Sequence, residues 1–150
     1  MSKELEGEVA LVTGASRGIG KAIAEQLAAA GATVIGTATS DGGADNISAY
    51  LADAGGKGMC LNVTDAESIA AVMKSISDEF GAVSILVNNA GITKDNLLMM
   101  MKEDQWNDII ETNLTSIYRL SKAVIRAMMK KKKGRIINIA SVVGLTGNPG

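Results

Sequence analysis

A short apolar run, Val9 to Val12, ends directly in Thr13-Gly-Ala-Ser-Arg-Gly-Ile-Gly20, and the apolar residues that follow recur at helical spacing. Ile19, Ile23, Leu27 and Ala30 form that stripe, and Gly31 stops it. A strand that hands over to a helix through so few residues, with glycines where the chain turns sharply, opens a β-α-β unit. The helix carries the chain back to the edge it left, so the next strand is expected to run parallel to the first.

The rest of the chain repeats this alternation. "TVIGTA" (33–38) reads as a second strand, with a weaker helical pattern over about 44–54. "GMCLNV" (58–63) reads as a third, followed by Ile69, Val72, Met73, Ile76 and Phe80 on a helix closed by Gly81. "SILVNNAG" (84–91) is a fourth strand entering a turn, one long helix is expected from about Glu103 to Lys131, and "RIINIAS" (135–141) is a fifth strand. Strands that are apolar throughout are buried on both faces, and right-handed crossovers place helices on both sides of them. The expected fold is α/β: a doubly wound, Rossmann-type parallel sheet with five strands, one dinucleotide-binding domain over 1–150. The later strands that usually cover strand five of such a sheet are missing from this stretch.

Composition narrows the function classes. At 47% apolar residues the chain can bury a real core, and a net charge of −1 gives no general attraction to nucleic acid or membrane. "MSKELEGE" lacks the apolar centre of a signal peptide, and no apolar run reaches the ~20 residues of a membrane helix. One cysteine, Cys60, and no histidine argue against a disulfide framework, a zinc centre or a histidine-based triad. A soluble cytoplasmic protein without a metal is expected.

In doubly wound sheets ligands bind beyond the C-terminal strand ends. The glycine turn, Asn62-Val63, Asn88 to Gly91 and Ser141 all fall there. The turn has two readings: a plain connection, or a cradle in which glycines let the backbone approach a phosphate at the helix N-terminus. Its spacing, G-x-x-x-G-x-G, differs from the common G-x-G-x-x-G, and its place between strand and helix favours the cradle. Strand two decides which dinucleotide. NAD sites usually end this strand on an acid, but "GTATS" (36–40) has none before Asp41. A carboxylate there would repel a 2′-phosphate, whereas hydroxyls and Arg17 would hold one; alternatively, Arg17 is a solvated surface residue. NADP(H) is expected over NAD(H).

"TGASRGIG", "NNAG", "ETNLTSIYRLSKA" and "IINIASVVG" occur in order at fitting spacings, and on these motifs the chain resembles the short-chain dehydrogenase/reductase family over its whole length. "VIGTATS", "NNAGITKDNLLM" and "RLSKAVIRAMMKKKKGRIINIASVVG" resemble its branch that reduces 3-oxoacyl thioesters held on acyl carrier protein. The resemblance implies NADPH as reductant, a role in fatty-acid synthesis and a homotetramer. It implies that Gly14, Ala15, Ser16, Arg17, Gly18, Ile19 and Gly20 hold the phosphates, with Thr39 at the adenosine ribose and Asn62 and Val63 framing adenine. Asn89, Ala90 and Gly91 would line the cofactor between its two halves. Asn113 would hold a water of a proton relay and Ser141 would bind the substrate oxygen. Read without the family, Asn113 sits among Trp106, Ile110, Ile117, Leu120 and Val124 and must satisfy its amide, at a cost of roughly 1–3 kcal/mol otherwise, for which a neighbouring backbone would serve. Ser141 could equally cap its strand.

The resemblance breaks at the proton donor. The family's Tyr-x-x-x-Lys motif follows the serine strand, and no such motif occurs between Ser141 and Gly150. Tyr118-Arg-Leu-Ser-Lys122 has the spacing but precedes Ser141, and lies five residues past Asn113, about 140° round an α-helix. The match is read as accidental. Residues 1–150 alone are therefore expected to bind cofactor without turnover; a non-catalytic NADP-binding module, or a reductase of 3-oxoacyl-CoA or another ketone, are the alternatives. Lys130 to Lys133 form a basic patch that either caps a helix dipole or, through Lys132, docks an acidic carrier protein. "LLMMM" (97–101) is adaptable apolar surface, for packing, an acyl chain or a neighbouring subunit.

Overall fold

The computed structural model describes residues 3–149. Five parallel strands form one sheet in the order β3-β2-β1-β4-β5: β1 (Val9–Val12), β2 (Thr33–Ala38), β3 (Lys57–Cys60), β4 (Ile85–Asn88) and β5 (Arg135–Asn138). The order reverses at β1, which pairs with β2 on one side and β4 on the other, so the crevice beyond Val12 is the topological switch point of the sheet.

Alternation along the central strands builds two cores. Val9 and Leu11 of β1 and Leu86 of β4 point to one face, where α3 (Ala66–Glu79) supplies Ile69, Val72 and Ile76, and α5 (Ser116–Lys131) supplies Leu120, Val124 and Met128. Ala10, Val12, Ile85 and Val87 point to the other, against α1 (Gly18–Ala29) and α2 (Asp41–Leu51). Steps of three and four residues put each helix's apolar set on one side, which is why the spacing read from sequence marked α1 and α3, while α2 starts and ends three residues before the expected 44–54. The strands themselves, apolar at every position, carry both faces at once.

Two elements differ from the sequence-based expectation. The long helix over 103–131 is interrupted: α4 (Glu103–Ile110) and α5 are joined by a π-helical turn at Glu111–Thr115, which contains Asn113. Apolar spacing gives no sign of this turn, because Ile110 and Ile117 on either side of it stand seven residues apart, as on an unbroken helix. Trp106, placed by spacing on the apolar face, is 56% exposed. A short α6 (Val143–Thr146) also follows β5 directly. At the β5 edge the sheet is thinly covered: all of β4 is buried, while three of the four β5 residues are exposed.

Candidate functional site

The glycine turn is built to leave donors free. Gly14 and Gly18 lie at φ +64° and +59°, the left-handed region that favours glycine. Nothing lies within 4 Å of where a Gly18 Cβ would be, so the backbone there is open. Arg17 occupies the N-cap of α1 without a side-chain cap, and no acid stands in the first turn. The amides of Ser16 and Arg17 have no partner among the described residues. An uncapped helix N-terminus with no acid in its first turn, facing open space, fits an anion such as a pyrophosphate.

A second loop locks onto this turn. Thr13, buried at the end of β1, accepts through its hydroxyl from the N–H groups of Asn89 (3.0 Å) and Ala90 (2.9 Å). The Asn89 amide in return donates to the carbonyls of Thr13 and Gly14, both at 3.1 Å. Between the two loops lies a cleft of about 480 Å³, lined by Gly14, Ser16, Arg17, Gly18, Ile19, Thr39, Val63 and residues 89–92 among others. Asp41, the first acid after β2, does not line it.

A second cleft of about 750 Å³ adjoins the first, sharing Arg17 and residues 89–92, and extends to Asn113, Asn138 and Ser141. Asn113 clamps the neighbouring backbone: its Oδ1 accepts from the Ile92 N–H and its Nδ2 donates to the Ile92 carbonyl, each at 2.8 Å. Gly91 permits that approach, since a Cβ there would sit 3.3 Å from Asn113 Oδ1. The Ser141 Oγ accepts from the Val143 N–H at 3.2 Å at the turn into α6, and its own O–H donates to no group among the described residues. Asn88 is 5% exposed; its Nδ2 donates to Asn138 Oδ1 at 2.9 Å, and its own Oδ1 has no partner among the described residues.

Four of the residues singled out from sequence lie elsewhere. Ala15 is fully buried, its N–H bonded to the Thr37 carbonyl at 2.9 Å. Gly20 faces the turn from below; a Cβ there would meet the Gly14 carbonyl oxygen at 2.1 Å. Asn62 turns onto its own loop, accepting from the N–H (3.0 Å) and hydroxyl (2.7 Å) of Thr64, so that Leu61 and Val63 line the cleft instead. Lys132 ends α5, which runs antiparallel to the strands, and so lies at the end of the sheet away from Ser141.

Other site residues had no signal in the sequence. Arg119 donates to the Thr64 carbonyl at 2.9 Å and pairs with Glu111, tying the π-helical turn to the loop after β3. Tyr50 and Asn46 of α2 reach the glycine turn itself, bonding the carbonyls of Ala15 (2.6 Å) and Ser16 (3.1 Å). Burial, with a smaller effect from Glu25, pushes the Tyr50 phenol up to about 12. Tyr118 is 62% exposed on the outer side of α5, with Lys122 Nζ 3.3 Å from its hydroxyl, away from both clefts. Among the described residues there is no cluster of metal-ligating side chains, and no helix is long and apolar enough to cross a membrane.

Comparison with known proteins agrees with this arrangement. Residues 8–150 match the model of the short chain dehydrogenase family. The chain is 74% identical over 146 residues to the 3-oxoacyl-[acyl-carrier-protein] reductase FabG of Vibrio cholerae, and 71% identical over 146 residues to that of Vibrio harveyi. The FabG of Pseudomonas aeruginosa is 58% identical over 148 residues. Each alignment takes in 97% of this chain but only 59–60% of the relative, so the chain spans about three fifths of the length of these proteins. With its sheet order, its glycine turn at the switch point and this match over 8–150, the chain belongs to the short-chain dehydrogenase/reductase family.

Proposed function

We propose that this chain forms the cofactor-binding part of an NADPH-dependent oxidoreductase that reduces 3-oxoacyl groups on acyl carrier protein to 3-hydroxyacyl groups in fatty-acid synthesis. The observation that carries the reading is the uncapped N-terminus of α1, with Arg17 beside a strand end that places no acid in the cleft. The names of the relatives supply the substrate class.

In this reading, bound NADPH supplies a hydride for the substrate's carbonyl carbon. The free amides of Ser16 and Arg17 and the first turn of α1 bind its phosphates, and the Arg17 guanidinium meets the 2′-phosphate. Thr39 faces the adenosine ribose and Val63 the adenine. The Ser141 hydroxyl, its oxygen already accepting from Val143, donates to the substrate oxygen as negative charge develops there. Asn113 spends its side chain on Ile92, so a relay water held by this residue would bond the main chain of the π-helical turn. The proton for the alkoxide falls to the family's Tyr-x-x-x-Lys pair, and a protein of residues 1–150 alone is expected to bind NADPH without oxidising it.

The full-length protein should oxidise NADPH with acetoacetyl-acyl carrier protein, work more slowly on the CoA thioester, and bind NADH far more weakly. Equal affinity for the two cofactors would remove the 2′-phosphate reading, and a preference for CoA would move the substrate. Docking of the carrier on Lys132 has only the charge of the patch in its support, because Ser141 lies at the other end of β5. Charge reversal at Lys132 that raises KM for the carrier-bound substrate but not for a short free thioester would favour it. Exposed Leu114 of the π-helical turn, with Tyr118, Ile125 and Met129 of α5, favours self-association into the homotetramer of the family, which sedimentation would test.

A further inference from the structure

We propose that Tyr50 and Asn46, two side chains one helical turn apart on α2, are positioning residues that turn the N–H groups of the glycine turn toward the cofactor phosphates. This rests on the cofactor reading above.

The four carbonyls from Thr13 to Ser16 each accept from a side chain. Asn89 Nδ2 takes those of Thr13 and Gly14, Tyr50 Oη that of Ala15 at 2.6 Å, and Asn46 Nδ2 that of Ser16 at 3.1 Å. A trans peptide points its C=O and N–H in opposite directions. Drawing the Ala15 and Ser16 carbonyls onto α2 therefore directs the N–H groups of Ser16 and Arg17 the other way. Both of these amides are without a partner among the described residues, and both residues line the cleft, whereas Tyr50 and Asn46 do not. Without the α2 donors these peptides could rotate and present an oxygen to an incoming phosphate.

The rest of α2 is arranged to bring these donors close. Gly36 and Gly58 let the helix lie against β2 and β3, since Cβ atoms there would fall 2.7 Å from Ile47 Cγ2 and 1.9 Å from the Ala44 carbonyl oxygen. Ser48 Oγ accepts from the Gly58 N–H at 2.9 Å, fixing the helix to the sheet on the side away from the turn. Lys21 lies over the Tyr50 ring, 5.1 Å from its centroid, and holds it in place from α1.

The test is titration of the full-length protein with NADPH and with 2′,5′-ADP, together with steady-state kinetics. Tyr50→Phe keeps the ring and removes the donor; Asn46→Ala removes the other. Each should weaken both ligands about 3- to 10-fold, the scale of one hydrogen bond, and the double variant should lose at least about tenfold. The loss should fall on KM for NADPH, with kcat at saturation retained, because neither side chain touches reacting atoms. Ser48→Ala, which loosens α2 without touching the turn, should lower the melting temperature and leave both affinities unchanged. Wild-type affinity in the double variant, or an equal loss in Ser48→Ala, overturns the proposal. A wild-type protein that binds neither ligand overturns the cofactor reading with it.

Discussion

At the scale of single residues, the two glycines that open α1 do different work. Gly18 is needed for its backbone: at φ +59° any other side chain costs about 1–2 kcal/mol, although there is space for it. Gly20 is needed for its missing Cβ, which would press into the main chain of Gly14. Gly18→Ala should therefore lower stability by about that amount and keep α1 in place. Gly20→Ala must push α1 off the turn, costing about 1–3 kcal/mol and most of the NADPH affinity. Thermal unfolding and NADPH titration of the two variants separate these effects. Tyr50 carries a second residue-scale expectation. Folding raises its phenol from 10.0 to about 12, so the protonated donor is favoured. Its contribution is complete below the unfolded value and fades as pH rises through the folded one. A tyrosinate absorbance titration should show one group ionising late, and that group should vanish in Tyr50→Phe.

At the scale of elements, the π-helical turn at Glu111–Thr115 links the two clefts. It carries Asn113, whose amide holds both polar groups of Ile92, and it is anchored through Glu111 and Arg119 to the loop after β3. Asn113→Ala releases the Ile92 amide, which lies between the bonds of Asn89 and Ala90 to Thr13 and the ties of Lys94 to Asp108 and Asn96 to Gln105. Hydrogen exchange at Ile92 and its neighbours should accelerate roughly 3- to 10-fold, while amides in β4 keep their protection. Unchanged exchange at Ile92 would show that the clamp adds no stability to the loop.

At the scale of the molecule, the N-terminal edge of the sheet is tied across three strands. Ser84 at the start of β4 bonds the Val9 backbone on one side and accepts the Arg135 N–H at 2.9 Å on the other, and Glu8 pairs with Lys133 over it. The bond from Lys133, then that from Ser84, holds the Glu8 carboxyl below its ordinary 4.5. A carboxylate lowered by folding stabilises fully above the unfolded value and loses that contribution as pH falls through the folded one. Glu8→Gln should therefore be less stable than wild type near neutrality, and the gap should close on acidification. Parallel unfolding curves of the two proteins at every pH would refute the link.

Repeats and spacings were legible in the order of residues alone. Apolar runs gave the strands, steps of three and four gave α1 and α3 and one long helix where the structure has α4 and α5, and glycines between a strand and a helix marked the first turn at a strand end. These signals are local, and each residue reports them through its own position in the chain. The candidate site was legible to the same extent: most of the residues chosen at strand ends do line the clefts, because every strand of a parallel sheet delivers its C-terminus to one edge. Which polar side chains meet which backbone groups was settled by packing. Asn62 bends back on Thr64 and Asn113 clamps Ile92, while Tyr50 and Asn46 reach 35 and 30 residues back along the chain to the glycine turn. A hydrogen bond depends on distances of a few tenths of an ångström and on the direction of a carbonyl, and neither is set until the helices have packed on the sheet.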